Sequence, residues 1–318
     1  GKAQDELLSE LVEIARIQST EASNRIEGII TTRSRLQQLM KDKTTPKNRD
    51  EEEILGYRNV LNLIHTNYEY IPFQSNYILQ LHRDLLKYTE HSYGGKYKTT
   101  PNEIDAVLPN GEKIMLFKPL DPYETPEAIE SICHSYQIAL EEEFVDPLIL
   151  IPCVILDFLC VHPFSDGNGR MSRLLTLLLL YKNDYVIGKY ISIEKEIADT
   201  KESYYQALSL SDDRWRIDEN DPKPFIKYML GIILKCYREF EKRLTISEKS
   251  GAKSTAYDIV KNFALDTIGT FTKRDVMESC PSLGSSSVEL ALKKLVEDKT
   301  IKRIGKGRAS KYVRFDAY

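Results

Sequence analysis

A polar stretch of thirteen residues, Val161–Arg173, separates two of the most apolar segments of the chain, and it constrains the fold more than any other feature. Residues 148–161 are almost all apolar, interrupted only by Asp157, and residues 174–180 are six leucines and one threonine. A helix that is apolar on all sides is buried. We therefore expect two buried helices at the centre of a domain, with the polar loop held rigidly between them.

The side chains of this loop suit an anion. Asp166 can cap the helix that follows, while Gly167 and Gly169 lack the β-carbon that would keep a polyanion away from the backbone. The start of such a helix offers unpaired N–H groups and the positive end of its dipole. Arg170 and Arg173, three residues apart, project over the same anion. The pattern predicts a site for a phosphate chain.

His162 and Asp166 add a base and a metal ligand to this interpretation. One carboxylate alone holds a cation poorly, but Mg²⁺ commonly takes one or two carboxylates and completes its shell with phosphates and water. His162 is the only nearby group whose ordinary pKa, roughly 6.5, suits accepting a proton at neutral pH. Phe164 is expected to anchor the loop in the core. The loop is therefore predicted to bind a nucleotide and magnesium and to supply a general base.

Residues 162–173, His-Pro-Phe-Ser-Asp-Gly-Asn-Gly-Arg-Met-Ser-Arg, match without a gap the HxFx(D/E)GNGRxxR signature of Fic-domain proteins. The resemblance covers roughly residues 15–235 and implies a mainly α fold, with a Fic-type helical core and a β-hairpin flap. It implies transfer of AMP from ATP, with Mg²⁺, to a Tyr, Thr or Ser hydroxyl of a target protein. The nucleotide-binding residues that the signature implies are Gly167, Asn168, Gly169, Arg170 and Arg173.

A short motif, Ser23-x-x-x-Glu27-Gly28, lies far ahead of the signature, and Gly28 stands where a glycine commonly ends a helix. Ahead of such a signature, the motif resembles the inhibitory helix of Fic proteins that carry an N-terminal brake. In that family the glutamate pairs with the second arginine, here Arg173. An Arg173 held by Glu27 cannot also hold a phosphate, and the added negative charge repels a triphosphate. The alternative is that Glu27 is a solvated helix residue.

Residues 104–117 contain short β-prone runs around Asn110-Gly111, a pairing typical of a hairpin turn. An isolated hairpin among helices is marginally stable by itself. In Fic proteins the matching element is the flap, which holds the target segment as an added strand, so that its hydroxyl meets the nucleotide. The resemblance therefore implies a target-binding role for residues 104–117, and a purely structural hairpin is the alternative.

Tyr204 and Tyr205 begin a YYxxL stretch similar to the one that flanks the adenine pocket in many Fic domains. The resemblance implies that one of these rings packs on the base, although an aromatic pair at this place is as often plain core. Many relatives have an asparagine seven residues after the second tyrosine. This chain has Asp212 there, so that adenine contact is in doubt.

Residues 251–318 form a basic region of net charge +5, whereas residues 1–250 carry −9. The pattern of helix, short helix, helix and two strands resembles a winged helix-turn-helix, with residues 285–297 as its recognition helix. Cations line the turn of the expected wing: Lys302, Arg303, Lys306, Arg308 and Lys311. They suit phosphates, but the helix offers few side chains that read base edges. Binding to DNA and docking of a protein both stay open, and we favour the protein.

Composition and length complete the expectations. The sequence predicts N-terminal helices with the inhibitory motif in residues 1–50, a catalytic domain in 51–248 and the winged module in 249–318. Five scattered cysteines without a CxxC spacing indicate reduced packing residues and no zinc site. With no basic-then-apolar leader and no apolar run long enough to cross a bilayer, we expect a cytoplasmic protein without membrane contact. A homo-oligomer is left open.

Two other functions would use the same residues. With Glu27 orienting a water and Asp166 holding the metal, the site would remove AMP from a modified protein, and the sequence does not separate the two directions. Alternatively, the chain is a transcriptional regulator whose winged module is primary and whose nucleotide site senses ATP. That function predicts salt-sensitive DNA binding that survives His162→Ala.

Overall fold

The computed structural model describes residues 2–91, 93–107, 113–250, 255–267, 269–305, 307 and 310–315. The chain is mainly α-helical, as predicted, and its described strands form two small antiparallel sheets. It divides into two compact units, one of Ala15–Cys236 and one of Gly1–Ile14 with Tyr237–Tyr318. The predicted domain boundaries after residues 50 and 248 stay predictions, and the helix over residues 223–250 runs through the second of them.

The helices are α1 (Lys2–Ile26), α2 (Arg33–Met40), α3 (Arg49–Asn67), α4 (Ser75–Leu85), α5 (Thr125–Glu141), α6 (Pro147–Val161), α7 (Asn168–Lys182), α8 (Ile193–Asp199), α9 (Lys201–Asp212), α10 (Lys223–Ser250), α11 (Ala256–Asp266), α12 (Lys273–Ser279) and α13 (Ser285–Glu297). The strands are β1 (Ile104–Val107), β2 (Lys113–Phe117), β3 (Ile301–Ile304) and β4 (Lys311–Arg314). Short 3-10 helices cover Tyr68–Tyr70, Val186–Lys189 and Trp215–Ile217.

The α1 helix is one of the predicted N-terminal helices, and the first residues of the motif at 23–28 form its C-terminal end. Its C-terminal part buries polar side chains, among them Ser23 and Asn24, which are fully inaccessible to solvent. The helix ends at Ile26, and Gly28 follows with a φ of 75°. Glycine adopts this left-handed conformation at little cost, which agrees with its predicted role as the terminator.

The α6 and α7 helices form the buried centre of the unit Ala15–Cys236. Asp146 caps α6 by accepting a hydrogen bond from the N–H of Leu148 at 2.8 Å, and Pro147 occupies the first turn. The leucines of residues 174–180 are buried without exception. The prediction of two buried helices is confirmed, and the loop between them is fixed at both ends by helices that have no room to move.

The predicted hairpin is present as the antiparallel pair β1 and β2, in which Asp105 faces Met115. The register shifts between Ile104 and Asp105, as at a β-bulge. The Asn110-Gly111 turn predicted for it lies outside the described residues. Met115 and Leu116 of β2 are exposed, so the hairpin presents apolar side chains to solvent.

The C-terminal elements occur in the predicted order of three helices and a two-stranded antiparallel sheet. Thr255 with Asp258, and Thr272 with Asp275, close capping boxes that start α11 and α12. The core between these elements includes Val260 of α11. Identification of this region as a winged helix stays a prediction. Of the residues named for it, Lys306 and Arg308 lie outside the described residues, as do residues 251–254 at the start of the predicted module.

No helix in the described part of the chain combines the length and the apolar character that a membrane crossing needs. The five cysteines carry free thiols, as their spacing predicted. Within the described ranges, no three histidine, cysteine or acidic side chains gather at a place where they could hold a metal ion.

Candidate active site

The loop between α6 and α7 owes its shape to two residues in the left-handed backbone region. His162 caps the end of α6 with a φ of 51°, and its N–H donates to the carbonyl of Phe158 at 2.9 Å. Gly167 has a φ of 87° and directly precedes α7. A positive φ is ordinary for glycine and uncommon for histidine, and such strain often occurs at functional sites.

Asn168, the first residue of α7, fastens this loop through its side chain. Its Oδ1 accepts from the N–H of Phe164 at 2.9 Å, and its Nδ2 donates to the carbonyl of the same residue at 2.7 Å. The side chain is almost fully buried. Asn168 was expected to contribute to an anion-binding site, but its side-chain amide binds the loop. Its backbone N–H is the group that remains for a ligand.

His82 of α4 supports the loop from below, which the sequence did not predict. Its ring stacks on Phe164 with centroids 3.7 Å apart and planes inclined by 3°. Its Nδ1 accepts from the N–H of Gly95 at 3.0 Å, and Nε2 then donates to the carbonyl of Asp166 at 2.8 Å. Burial lowers the pKa of His82 to about 4, so the ring stays neutral and keeps this tautomer. Phe164 is fully buried, as predicted.

Lys98 and Asn102 hold the loop from the side of the hairpin, and neither was predicted. Lys98 donates through Nζ to the carbonyl of Val161 at 2.9 Å and to Asn102 Oδ1 at 2.8 Å. Asn102 Nδ2 lies 3.2 Å from the carbonyl of His162 and 3.1 Å from that of Phe164. Burial lowers the pKa of Lys98 to about 8. Two side chains thus bind three carbonyl groups of the loop backbone, those of Val161, His162 and Phe164.

His162 has one ring nitrogen engaged and one left for chemistry. Its Nδ1 lies 3.2 Å from the carbonyl of Leu159, which can only accept, so Nδ1 carries the proton. The neutral ring then has an unprotonated Nε2. Burial, together with the nearby Lys98 cation, lowers the pKa of His162 to about 4. The hydrogen bond to Leu159 acts in the opposite direction and raises the pKa. The imidazole is therefore neutral at physiological pH and able to accept a proton.

Asp166 does not cap α7, contrary to the prediction, and the N-cap position belongs to Gly167. Because the glycine turns back through its positive φ, the Asp166 carboxylate accepts from the adjacent N–H of Gly167 at 2.7 Å. Its other oxygen, Oδ2, lies 3.3 Å from Arg49 Nη2. The side chain is 37% exposed, so the carboxylate faces outward from the loop.

Arg170 is buried beneath the loop, with only 1% of its side chain exposed. Its Nη1 lies 2.7 Å from Glu53 Oε2, and its Nη2 lies 3.6 Å from Asp166 Oδ1. Arg49, which the sequence did not single out, completes the group through a 2.7 Å bond from Nε to Glu53 Oε1. Two cations and two carboxylates therefore alternate around this side of the site.

Arg173 is held by the brake motif of α1. Its Nη2 donates to Glu27 Oε1 at 2.6 Å and to the carbonyl of Ser23 at 2.9 Å, while Nε donates to Ser23 Oγ at 2.8 Å. A β-carbon at Gly169 would collide with the same Glu27 oxygen. Gly169 is therefore the residue that lets the glutamate reach this arginine.

The charge of Glu27 is secured by its partner. Burial alone would raise the pKa of Glu27, but the Arg173 guanidinium outweighs burial and holds that pKa below its ordinary value. The glutamate is thus a carboxylate at neutral pH. It places a negative charge beside the N-terminus of α7, whose dipole and unpaired N–H groups would otherwise attract an incoming phosphate.

The two tyrosines expected near the adenine occupy different environments. Tyr204 is buried among aromatic rings, including Phe225 and Tyr228, whereas Tyr205 is 44% exposed. Of the pair, Tyr205 is therefore the ring available to a ligand. Asp212 lines a groove of about 510 Å³ between α9 and the exposed face of β2. Burial, and then the charge of Asp213, raise the pKa of Asp212 to about 7.

The residues present fit a magnesium ion that arrives with a nucleotide. Asp166 is the only carboxylate of the loop, and its Oδ2 faces outward. A lone carboxylate is a poor site for Mg²⁺ by itself but an ordinary one when phosphate oxygens complete the shell. Together, a neutral imidazole, an outward carboxylate and a helix N-terminus can bind a polyphosphate and deprotonate a hydroxyl beside it.

The arrangement agrees with comparisons against known proteins. A sequence model of the Fic/DOC family matches residues 72–180. Protein adenylyltransferase Fic of Aedes aegypti is 28% identical over 152 residues, which are 48% of this chain and 26% of that protein. Protein adenylyltransferase fic-1 of Caenorhabditis elegans is 24% identical over 220 residues, 67% of this chain and 36% of that protein. The chain thus spans about a quarter to somewhat over a third of these curated relatives.

Solved structures show the same fold. A Fic family protein from Desulfovibrio desulfuricans G20 superposes with a TM-score of 0.59 at 20% identity, covering 99% of this chain and 96% of that one. A Fic domain containing signaling protein from Bacteroides thetaiotaomicron VPI-5482 gives a TM-score of 0.61 at 23% identity, covering 76% and 89%. The first of these similarities extends along nearly the whole chain.

Proposed function

Because residues 72–180 form a Fic/DOC family domain, we propose that this protein is an adenylyltransferase that moves AMP from ATP to a hydroxyl side chain of a target protein. The single observation that carries the proposal is the position of His162. Its Nδ1 is tied to the Leu159 carbonyl, which leaves a basic Nε2 in the loop that opens α7. Such a base suits a Tyr, Thr or Ser hydroxyl, which is a poor nucleophile until its proton leaves.

The reaction follows from these positions. His162 Nε2 takes the proton as the hydroxyl oxygen attacks the α-phosphorus of ATP. The new oxygen–phosphorus bond forms while the bond from the α-phosphorus to the bridging oxygen breaks, and pyrophosphate leaves. Transfer of this kind requires positioning and charge neutralisation more than covalent help from the protein. The clamp that Asn168 and His82 place on the loop supplies that rigidity.

The phosphates would lie at the N-terminus of α7. The first N–H groups of a helix have no partner within it, and here they belong to Asn168, Gly169 and Arg170. Arg173 is the guanidinium that can reach the outer phosphates once it leaves Glu27. Asp166 would hold Mg²⁺, which neutralises phosphate charge when bound. The backbone of the loop remains the cradle throughout.

Glu27 would act as a brake on this reaction. The pair between Glu27 Oε1 and Arg173 Nη2 removes the arginine from the phosphates and leaves a carboxylate in their path. ATP can then bind only with its outer phosphates displaced, so the α-phosphorus is misaligned for attack. To relieve the brake, Arg173 must exchange its bond to the Glu27 carboxylate for a bond to a phosphate. Both are charge-assisted hydrogen bonds, which are the strong kind.

The hairpin is the proposed holder of the target. The edge of β1 and β2 can pair with an extended segment through backbone groups, which tolerates different target sequences. Exposed Met115 and Leu116 would contact that segment's side chains. Lys98 and Asn102 lie just before β1 and bind the backbone of the loop between α6 and α7. These contacts support a position of the hairpin close to that loop.

The test is AMP incorporation from ATP labelled at the α-phosphate, with the purified full chain and lysate of its source organism. Wild type, Glu27→Gly and His162→Ala are compared, with Glu21→Gly in α1 as a control for the loss of a nearby glutamate. We expect Glu27→Gly to label protein at least tenfold more than wild type, and the combined variant Glu27→Gly/His162→Ala to label none. Equal labelling by Glu27→Gly and Glu21→Gly would contradict the role of Glu27 as a brake. Labelling by a variant that lacks His162 would contradict the role of His162 as the base.

Removal of AMP is a second candidate, and the ionised state of Glu27 favours it. A carboxylate beside the loop can orient a water for attack on an AMP-modified side chain. The two directions make opposite demands on Glu27, since transfer is inhibited by it and removal requires it. Release of AMP from a pre-modified target by wild type, and its loss in Glu27→Gly, would favour removal.

A further inference from the structure

Arg49 occupies the face of Asp166 that the proposed metal needs. Its Nη2 lies 3.3 Å from Asp166 Oδ2, while its Nε is fixed to Glu53 Oε1 at 2.7 Å. The other Asp166 oxygen is already engaged by the N–H of Gly167 at 2.7 Å and lies 3.6 Å from Arg170 Nη2. Oδ2 is therefore the oxygen that remains for a metal cation, and the Arg49 guanidinium already contacts it.

The two arginines around Asp166 differ in how they can respond. Arg170 is buried, and its partner Glu53 is buried as well, so this pair cannot separate without exposing charges to an apolar interior. Arg49 is 57% exposed and sits at the first residue of α3. Its guanidinium faces solvent and can release Oδ2 through a change of side-chain rotamer. The exposed arginine is thus the movable one.

We infer that Arg49 is a positioning residue that guards the metal site, holding the Asp166 carboxylate until a divalent cation displaces it. The inference rests on the proposed function, in which Asp166 is the metal ligand. A guanidinium at Oδ2 competes with a divalent ion both for the oxygen and through its charge. Binding of metal alone is therefore weak, and metal enters together with a nucleotide whose phosphates complete its shell.

The test measures Mn²⁺ binding to the full chain by electron paramagnetic resonance, without nucleotide. We expect Arg49→Gln to bind Mn²⁺ about tenfold more tightly than wild type, a change of about 1.4 kcal/mol. Arg49→Lys keeps the charge but lacks the fork that bridges two carboxylates, so its affinity should lie between the two. A guanidinium with a merely structural role would give weaker or unchanged binding when removed.

The matched control is Arg214→Gln, which removes an arginine of 58% exposure that is also paired with a carboxylate, Glu219. It should leave Mn²⁺ affinity unchanged, and an equal gain in this variant would reduce the effect to net charge and overturn the inference. In Arg49→Gln/Asp166→Asn the gain must vanish, because it acts through Asp166. If it persists, Glu53 and not Asp166 has been freed, and the inference fails.

A second measurement separates this inference from the function beneath it. Mn²⁺ binding is repeated with a non-hydrolysable ATP analogue present, in wild type and Asp166→Asn. Metal binding that does not depend on Asp166 under these conditions contradicts the metal site of the proposed function. Binding that does depend on Asp166, together with an Arg49→Gln affinity within twofold of wild type, contradicts the role of Arg49 alone.

Discussion

Glu27 Oε1 and Arg173 Nη2 lie 2.6 Å apart beside Gly169, where a β-carbon would collide with the same glutamate oxygen. The same arginine is bound by Ser23 through both its hydroxyl and its carbonyl. Ser23 of α1 thus supplies two of these three hydrogen bonds, and Glu27, the residue after the end of α1, supplies the third. The proposed brake is therefore the end of a docked helix that offers three acceptors to one arginine.

Ser23→Ala should weaken this brake without removing its charge. A hydrogen bond to a charged group contributes about 1.5–3 kcal/mol, and this variant deletes the one from Arg173 Nε. We expect AMP transfer about tenfold above wild type, the factor that corresponds to the lower end of this range, and below that of Glu27→Gly, in the labelled-ATP assay. Ser19→Ala is the matched control, because that buried hydroxyl donates to Ser192 and not to Arg173. A Ser23→Ala rate equal to that of Ser19→Ala would show that the hydroxyl has no part in the brake.

Asn168→Ala should destabilise the domain through the loop. The change deletes two buried hydrogen bonds to Phe164, each contributing about 1 kcal/mol, so the free energy of unfolding should fall by about 2–3 kcal/mol. Urea denaturation followed by circular dichroism measures it. Asn183→Ala also deletes two side-chain hydrogen bonds, but at a partly buried position, and should cost less. A smaller loss for Asn168→Ala than for Asn183→Ala contradicts a clamp.

The sequence predicted the residues that lie close together along the chain, and missed those that reach the site from elsewhere. His162, Asp166 and Arg173 fall within one contiguous signature, so a single pattern brought them to one helix start. Glu27 is distant, yet it stands in a short motif that relates it to Arg173. Lys98 carries no such pattern, since a lysine whose ammonium caps the end of a buried helix looks in sequence like any other.

One sequence interpretation was changed by backbone geometry, and another was narrowed to one residue by packing. Asp166 was predicted to cap α7, but the positive φ of Gly167 turns the chain so that the glycine takes the cap position. Either Tyr204 or Tyr205 was predicted to pack on the adenine, and the periodicity of α9 turns the first ring into the core and the second toward solvent. Adjacent residues of a helix point in directions about 100° apart, and the sequence does not say which faces the ligand.

The pH dependence of transfer should reflect the buried position of His162. Its pKa lies at about 4 in the free protein, below the ordinary value of roughly 6.5, so the imidazole stays neutral as pH falls to about 5. Because kcat/KM reports the free enzyme, its acid limb should lie below pH 5, with a flat profile from pH 6 to 8. Initial rates of AMP incorporation by Glu27→Gly measure this, with the His162 ring titrated by NMR. A limb at pH 6.5 contradicts the buried state.

His82 should make the stability of the domain depend on acid. Its pKa lies at about 4 when folded and near 6.5 when unfolded, so its contribution is fully present above pH 6.5 and is lost as pH falls through 4. The shift corresponds to at most about 3 kcal/mol. Both ring nitrogens are engaged, Nδ1 by Gly95 and Nε2 by Asp166, so a protonated ring would lose the first of these bonds.

The measurement compares wild type with His82→Phe by urea denaturation between pH 7 and 4.5. Phenylalanine keeps the stack on Phe164 but removes both nitrogens, so the variant should be less stable at pH 7 and should lose less stability on acidification. The gap between the two proteins should therefore narrow as pH falls. His134→Phe, at an exposed position, controls for the loss of a histidine and should run parallel to wild type. Parallel curves for His82→Phe and wild type would mean that His82 titrates normally, and its role as a neutral support for the Asp166 carbonyl would be wrong.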